Sequence, residues 1–343
     1  MTAKFSILDP IKIGDAYKIA QDRGPDSVIQ IIKTSELRGR GGAGFLTGLK
    51  WEMTRFAEGE KVVVCNADEG EVGTFKDKKL LAEFPDTMLE GIAICCLAIG
   101  ASKAIIYLRW EYNFLRKKIV DAIAQVSQTF DAVTFEIRMG AGAYVCGEET
   151  ALLDSLEGRR GEARNKPPFP VKEGYKQQPT VVNNVETFCC IPHIIIKGAE
   201  AFKEIGTEKS RGPKLFSISG DVADPGVYEF PLGTTVRQVL KYVGAKDPKA
   251  VLVGGASGIV VGNKEFGKKL AFEDLPPGGS IVVFNEKRNM LRVLENIMEF
   301  FLEESCGQCV PCREGNYRLF RFIRKMIEEK VVTKKEIQLY HDL

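Results

Sequence analysis

The sequence predicts an α/β chain in three parts: a mainly parallel sheet with its helices, a small α+β module, and a helical segment that carries cysteines. Three observations predict it. Short apolar, β-branched runs alternate with helical periodicities from the N-terminus to about residue 200. Short strands separated by glycine- and proline-bearing turns follow. Helical periodicity then returns from about Asn289 and leads into three cysteines. The expected boundaries are 1–204, 205–286 and 287–343.

In chain order, Ser27 to Leu37 reads as a helix, and Lys61 to Asn66 as a buried parallel strand because its apolar run does not alternate. Thr87 with Glu90 three residues on predicts a capping box. The helix it opens carries Met88, Leu89, Ile92, Cys96 and Ile99 on helical spacing and stops by Gly100. Ala104 to Leu108 is a strand, Glu111 to Ser127 a charged amphipathic helix, Thr134 to Arg138 a strand, and Glu148 to Glu157 a helix ended by Gly158. In the second part, Lys214 to Ser219, Gly226 to Phe230, Ala250 to Val253 and Ser280 to Phe284 read as strands around one helix near Thr235 to Val243. In the third, Leu291, Leu294, Ile297, Met298 and Phe301 form one amphipathic stretch before the cysteines. Leu319, Phe320, Ile323 and Met326 form another after them.

With 48 basic and 46 acidic residues in 343, the chain offers no electrostatic case for nucleic acid or an anionic membrane surface. No apolar run approaches the ~20 residues of a membrane span, so direct membrane insertion is not expected. Met1 to Ser6 shows no signal-peptide pattern. Cys65, Cys95, Cys96, Cys146, Cys189 and Cys190 do not resemble a secreted disulfide framework and read as small buried hydrophobes in a reducing cytoplasm.

Cys306, Cys309 and Cys312 form a C-x2-C-x2-C run. That spacing wraps thiolates around one inorganic cluster and matches the first three ligands of a ferredoxin-type iron–sulfur site. A zinc site would pair two such hooks or add histidines, and neither His193 nor His341 is suitably spaced.

Gly39 to Phe45 contains a literal G-x-G-x-x-G through Gly39, Gly41 and Gly44. The dinucleotide fingerprint needs a strand just before it, and here a helix precedes, so the ordinary dinucleotide reading fails. Its four glycines still let backbone N–H groups approach a phosphate or a planar ring, and Arg40 and Lys50 add positive charge. A surface turn is the alternative. Asn66 to Phe75 lies at the carboxyl end of the expected strand, where open α/β sheets bind ligands. Asp68, Glu69 and Glu71 repel one another there unless hydrogen-bonded. Gly140 to Thr150 again leaves a strand and enters a helix, with glycines, Tyr144 and two acids placed to receive a nucleotide or to favour the helix dipole.

Six ordered segments, Gly39–Phe45, Asn66–Phe75, Gly140–Thr150, Lys166–Pro170, Asn183–Thr187 and Ser305–Gly315, resemble the NADH-binding flavoprotein subunit of respiratory complex I. They resemble equally its relatives in NAD-linked hydrogenases and formate dehydrogenases. The resemblance implies a Rossmann-like FMN- and NADH-binding domain, a small β-grasp (ubiquitin-like, soluble-ligand-binding) domain and a C-terminal helical bundle holding a [4Fe–4S] cluster. It places FMN against Gly39, Arg40, Gly41, Gly42, Lys50, Asn66, Asp68, Glu69, Gly147, Glu148, Asn183, Asn184 and Thr187. It places NADH against Phe45, Glu71, Tyr144, Glu149, Lys166 and Phe169, and the cluster on Cys306, Cys309 and Cys312. Gly70 and Val72 stand where respiratory subunits usually have Ser and Pro, and Met53 where a further aromatic can occur; Gly70 is more like the hydrogenase-type relatives. The family's fourth cluster cysteine is expected beyond Leu343.

The implied activity is NADH oxidation by hydride transfer to FMN, with single electrons passed to the cluster. The implied partners are a small [2Fe–2S] thioredoxin-fold subunit and a larger iron–sulfur or catalytic subunit, in the cytoplasm or on the cytoplasmic face of a membrane complex. The alternatives are the reverse direction in a soluble, electron-bifurcating hydrogenase or formate dehydrogenase, and a non-catalytic electron-transfer or scaffold subunit. Retention of all three nucleotide loops argues against the last.

Overall fold

A computed structural model describes residues 5–329 and 332–341. The expectations for Met1 to Lys4 and for the end of the chain at Leu343 lie outside the described residues.

Strands β1 (Lys61–Ala67), β2 (Ala101–Leu108), β3 (Thr134–Met139) and β4 (Thr180–Asn184) form a parallel sheet in the order β3-β2-β1-β4. Side chains alternate across it. Val63, Cys65, Ala104 and Ile106 enter one core with helices Pro85–Ile99 and Val185–Lys197. Val62, Val64, Ile105 and Tyr107 enter another with Leu152 and Leu153 of helix Glu149–Leu156. Burial on both faces explains why β1 reads as an unbroken apolar run. The chain leaves β1 toward β2 and β3 and returns on the other side to β4, which places the topological switch point at the carboxyl ends of β1 and β4.

The expected strands and most helices form, with local differences and with additions that include strand Ile259–Gly262 and helices Asp15–Arg23, Thr47–Phe56 and Val185–Lys197. The capping box at Thr87 does not form, because Pro85 opens the helix two residues earlier with its φ already set. Glu90 is buried within that helix and accepts the N–H of Tyr17 at 2.8 Å instead. The segment expected as one helix from Glu111 starts as a 3-10 turn, Trp110–Leu115, broken at Tyr112, and becomes α-helical only over Arg116–Val126. Strand β4 is an addition.

The second sheet comprises β5 (Pro213–Gly220), β6 (Gly226–Pro231), β7 (Pro248–Val253), β8 (Ile259–Gly262) and β9 (Ser280–Asn285), ordered β6-β5-β9-β7-β8 with β5 and β9 parallel. Helix Val236–Tyr242 packs on it and opens with a capping box between Thr235 and Gln238. Beyond it, helices Met290–Glu304 and Val310–Glu329 form a hairpin. The second begins nine residues before Leu319, so Cys306 and Cys309 lie in the connection and Cys312 in the first turn. Among the described residues no helix is long and apolar enough to cross a membrane.

Candidate functional site

A cavity of about 460 Å³ opens at the carboxyl edge of the parallel sheet, in the size range of cofactor pockets. Asn66 and Asn184, paired in register at the ends of β1 and β4, line it together with Gly41, Asp68, Glu69, Glu71, Tyr144, Gly147 and Glu148. Asn66 is fixed on both sides of its amide: Nδ2 donates to the Gly147 carbonyl at 2.9 Å, and Oδ1 accepts the Asp68 N–H at 3.0 Å. Gly41 approaches the sheet end closely, since a Cβ there would lie 3.1 Å from Cβ of Asn184.

The three carboxylates of the acidic loop have different fates. Glu69 receives the N–H groups of Asp77 and Lys78 at 2.8 and 2.9 Å and the Tyr112 hydroxyl at 2.9 Å. It thereby satisfies the opening of helix Lys76–Glu83, and burial followed by Asp77 pushes it up to about 7. Glu71 accepts from Tyr144 at 2.9 Å and from the N–H of Ala256 at 2.7 Å. Asp68 keeps a buried oxygen, Oδ2, with no partner. Burial pushes it up to about 7, against the pull of Arg109 and with a push from Glu111 and Glu304.

Charges alternate along one flank. Lys166 pairs with Glu148 at 2.8 Å and with Glu149 at 3.5 Å, and Glu149 with Lys50 at 3.0 Å. Glu148 caps its helix by accepting from Thr150 and Ala151; burial opposes its ionisation, but Lys166 and Thr150 outweigh burial and hold it below the ordinary value.

The remaining residues singled out in the sequence stand outside this lining. Asn183 is buried, accepting from Trp51 Nε1 at 3.0 Å. Thr187 accepts the Arg40 N–H at 2.9 Å, and the buried Arg40 guanidinium donates to the Arg211 carbonyl at 2.8 Å. The Gly39 N–H closes the glycine loop onto the Phe45 carbonyl, and Gly42 faces open space. Phe45 and Phe169 are 49% and 53% exposed.

Residues to which the sequence analysis gave no place at the site complete the wall: Lys76, Asp77 and Glu304, together with Thr74 and Ser305 from the acidic and cysteine segments and Phe301 from the amphipathic stretch. Lys76 is buried between Asp77 at 2.6 Å and Glu186 at 2.9 Å. Burial alone would lower it, but the two acids hold it above the ordinary lysine value. Glu186 lies inside the Asn183–Thr187 segment, and its place beside Asn184 was the available signal.

Cys306 and Cys312 line the same cavity, whereas Cys309 faces solvent. The Cys306 carbonyl accepts from Arg160 at 2.8 Å, and Cys312 Sγ receives Asn316 Nδ2 at 3.4 Å. Among the described residues, no three Cys, His, Asp or Glu side chains converge closely enough to hold a metal ion.

Residues 32–193 match the model of the Nuo51 FMN-binding domain, 215–259 that of the SLBB domain, and 292–343 that of the NADH-ubiquinone oxidoreductase-F iron-sulfur binding region. An F-type subunit of the NADH-quinone oxidoreductase of Rhizobium meliloti is 43% identical over 336 residues, covering 90% of this chain and 80% of that protein. The chain belongs to the family of NADH-quinone oxidoreductase F-type subunits. A hydrogenase relative is also similar: the NAD-reducing hydrogenase HoxS subunit alpha of Cupriavidus necator is 47% identical over 324 residues, covering 90% of this chain. Crystal structures of an NAD+-reducing [NiFe]-hydrogenase in air-oxidised and H2-reduced states superpose with TM-scores of 0.91 and 0.93 at 42% identity, covering 94% and 98% of this chain. The chain spans 54% of the HoxS protein and 58% and 60% of the two crystal chains.

The cavity fits the flavin of this family on its own features. The close approach at Gly41 leaves backbone bare, and the unpartnered Asp68 Oδ2 and Thr74 Oγ1 are polar atoms waiting for a ligand. The donor set for the iron–sulfur region fits chemically as well. Among the described residues the other six cysteines are buried, so Cys306, Cys309 and Cys312 are the thiols accessible to a cluster.

Proposed function

We propose that this chain is an electron-input subunit that oxidises NADH and passes the electrons singly to a [4Fe–4S] cluster and on to partner subunits. The observation that carries this reading is the shared cavity: Asn66, Asp68 and Asn184 of the sheet edge and Cys306 and Cys312 of the cysteine run border one space. When bound, FMN supplies the chemistry, accepting a hydride from NADH and releasing electrons one at a time.

The protein's part is binding and orientation. Gly41, Asn66 and Asn184 would form the flavin cradle, with Asp68, Glu69, Gly147 and Glu148 around it. Lys50 would set a positive charge on the flank, and Gly39, Arg40, Gly42, Asn183 and Thr187 would hold the cradle from behind. Phe45 and Phe169, both exposed, would cover the NADH rings, with Glu71, Tyr144, Glu149 and Lys166 as polar contacts. Cys306, Cys309 and Cys312 would hold the cluster. Residues 1–204, 205–286 and 287–343 would act as the flavin, β-grasp and cluster units. The family's membership in hydrogenase and quinone-oxidoreductase complexes favours a hetero-oligomer; a small [2Fe–2S] thioredoxin-fold subunit and a larger catalytic subunit in the cytoplasm are the partners proposed.

The 47% identity to the NAD-reducing hydrogenase relative favours a second reading, electron flow toward NAD+. An anaerobic titration of FMN- and iron–sulfur-reconstituted protein with NADH tests the first. Loss of oxidised-flavin absorbance with reduction of the cluster signal in paramagnetic resonance is expected. Failure to bind FMN, or a flavin that NADH does not bleach, would overturn it.

A further inference from the structure

Lys214 is the first-strand lysine of the second sheet, yet its ammonium lies beneath the glycine loop of the first domain. Its side chain is 1% exposed. Nζ donates to the Arg40 carbonyl at 2.7 Å and pairs with Glu186 at 3.4 Å. Glu186, from the helix after β4, also accepts the Leu215 N–H at 2.8 Å and pairs with Lys76 of the cavity wall. Gly279, before β9, covers both lysines: a Cβ there would sit 3.0 Å from Lys76 Cε and 3.8 Å from Lys214 Nζ. A chain of buried contacts thus runs from the second sheet through Lys214 to the glycine loop, and through Glu186 and Lys76 to the cavity.

We infer that Lys214 is a positioning residue for the flavin cradle: the second domain holds the glycine loop in its binding shape through this ammonium. The inference rests on the reading of the cavity as the FMN site. A buried lysine is a costly way to fasten two domains, since an apolar pair would fasten them as well. What the ammonium adds is a charge-assisted hydrogen bond to the carbonyl of Arg40, the residue before Gly41. That bond fixes the peptide that lets Gly41 approach Asn184.

The groups facing the ammonium are Glu186, which favours its charge, Lys76 and Arg40, which oppose it, and Asp77, which favours it. Burial comes first and pushes Lys214 down to about 8. Two pH effects of opposite sign follow. The charged ammonium is costly to bury, so its contribution to folding stability rises with pH above about 8 toward the ordinary lysine value. Loss of the proton leaves a neutral amine that can donate only an ordinary, weaker hydrogen bond to the Arg40 carbonyl, so its hold on the loop slackens and FMN affinity falls over the same range. A merely structural lysine would move stability alone.

The test is the FMN dissociation constant of the full chain, by fluorescence quenching from pH 6.5 to 9.5, for wild type, Lys214→Met and Lys214→Arg. Wild type is expected to weaken as pH passes about 8. Lys214→Met should bind about ten- to a hundredfold more weakly at pH 7, the range of a hydrogen bond to a charged group. Lys214→Arg, which keeps its charge, should stay flat across the range. Circular dichroism checks that each variant is folded; should Lys214→Met not fold, the wild-type and arginine profiles still decide. Wild-type affinity independent of pH with parallel lysine and arginine curves, or a folded Lys214→Met binding like wild type, overturns the inference. Wild type that binds no FMN at any pH overturns the reading of the cavity itself.

Discussion

Glu71 and Ala256 join two domains through one hydrogen bond: the Ala256 N–H donates to Glu71 Oε1 at 2.7 Å, while Tyr144 donates to the other oxygen at 2.9 Å. The acidic loop is thereby tied to the turn between β7 and β8. The turn reaches it only because Gly255 has φ +82° and no side chain; a Cβ there would lie 2.2 Å from Cδ of Glu71. Gly255→Ala is therefore expected to cost about 2 kcal/mol or more in urea unfolding, combining left-handed strain with displacement of Glu71. Glu71→Ala removes the obstacle. The double variant should lose less than the sum of the singles, and strictly additive losses would show that the contact does not form.

Cys309→Ser should abolish iron binding while FMN remains bound, because the cysteine connection and the flavin cradle are built on different elements. Iron per chain and flavin absorbance after reconstitution measure the two separately. Reduction of an artificial acceptor that takes electrons from the flavin should persist. A variant with full iron content would remove Cys309 from the ligand set.

His193 is fully buried against Phe5, with ring centroids 5.9 Å apart. Burial, aided by Lys197, pushes it down to about 4. The unfolded chain binds a proton near pH 6.5 and the folded one does not until about 4. Its contribution to stability is thus fully present above about 6.5 and is lost as pH falls toward 4, by about 3 kcal/mol. Asp68 and Glu69, raised to about 7, act in the opposite sense, so the informative quantity is the difference between wild type and His193→Leu. That difference should shrink between pH 6.5 and 4; a constant difference would mean His193 does not titrate in this way.

What the sequence made legible was whatever is encoded locally. Strands β1 and β2 contain apolar runs, β3 alternates Phe135 and Ile137 with polar residues, and the loops after β1 and β3 announce themselves by glycine and acid. The cysteine spacing needs no tertiary context. Strand β4 escapes sequence reading because five residues ending in Asn183 and Asn184 carry no decisive pattern; pairing with β1 makes them a strand. Lys76 escapes it because a lysine among Asp77, Lys78 and Lys79 looks like a solvated helix start. Its burial depends on Glu186, 110 positions away. Glu304 and Ser305 border the cavity only because the C-terminal hairpin folds back against Tyr144, whose ring meets Phe300 at 4.9 Å. Local patterns identify elements and ligand-bearing loops. Partners across long separations remain invisible to them.

The role proposed for Glu149 predicts coenzyme choice. The proposed site puts it beside the adenosine ribose of NADH, where a carboxylate would accept hydrogen bonds from the hydroxyls and repel a 2′-phosphate. At about 4 Å and an effective dielectric near 20, each like unit charge costs about 4 kcal/mol before screening. Lys50 at 3.0 Å and Lys166 at 3.5 Å offset part of that, leaving a preference nearer tenfold to a hundredfold. The competing role, capping of helix Glu149–Leu156, belongs to Glu148, whose side chain accepts from Thr150 and Ala151. Neutralising Glu149 therefore leaves the cap intact and removes the carboxylate partner of Lys50, while Lys166 keeps its closer pair with Glu148. Glu149→Gln is expected to narrow the NADH/NADPH ratio of kcat/KM about tenfold or more, chiefly by improving NADPH. Both coenzymes are measured on folded, FMN-loaded protein with thermal stability as the control. An unchanged ratio, with or without a loss of stability, would confine Glu149 to its ion pairs with Lys50 and Lys166.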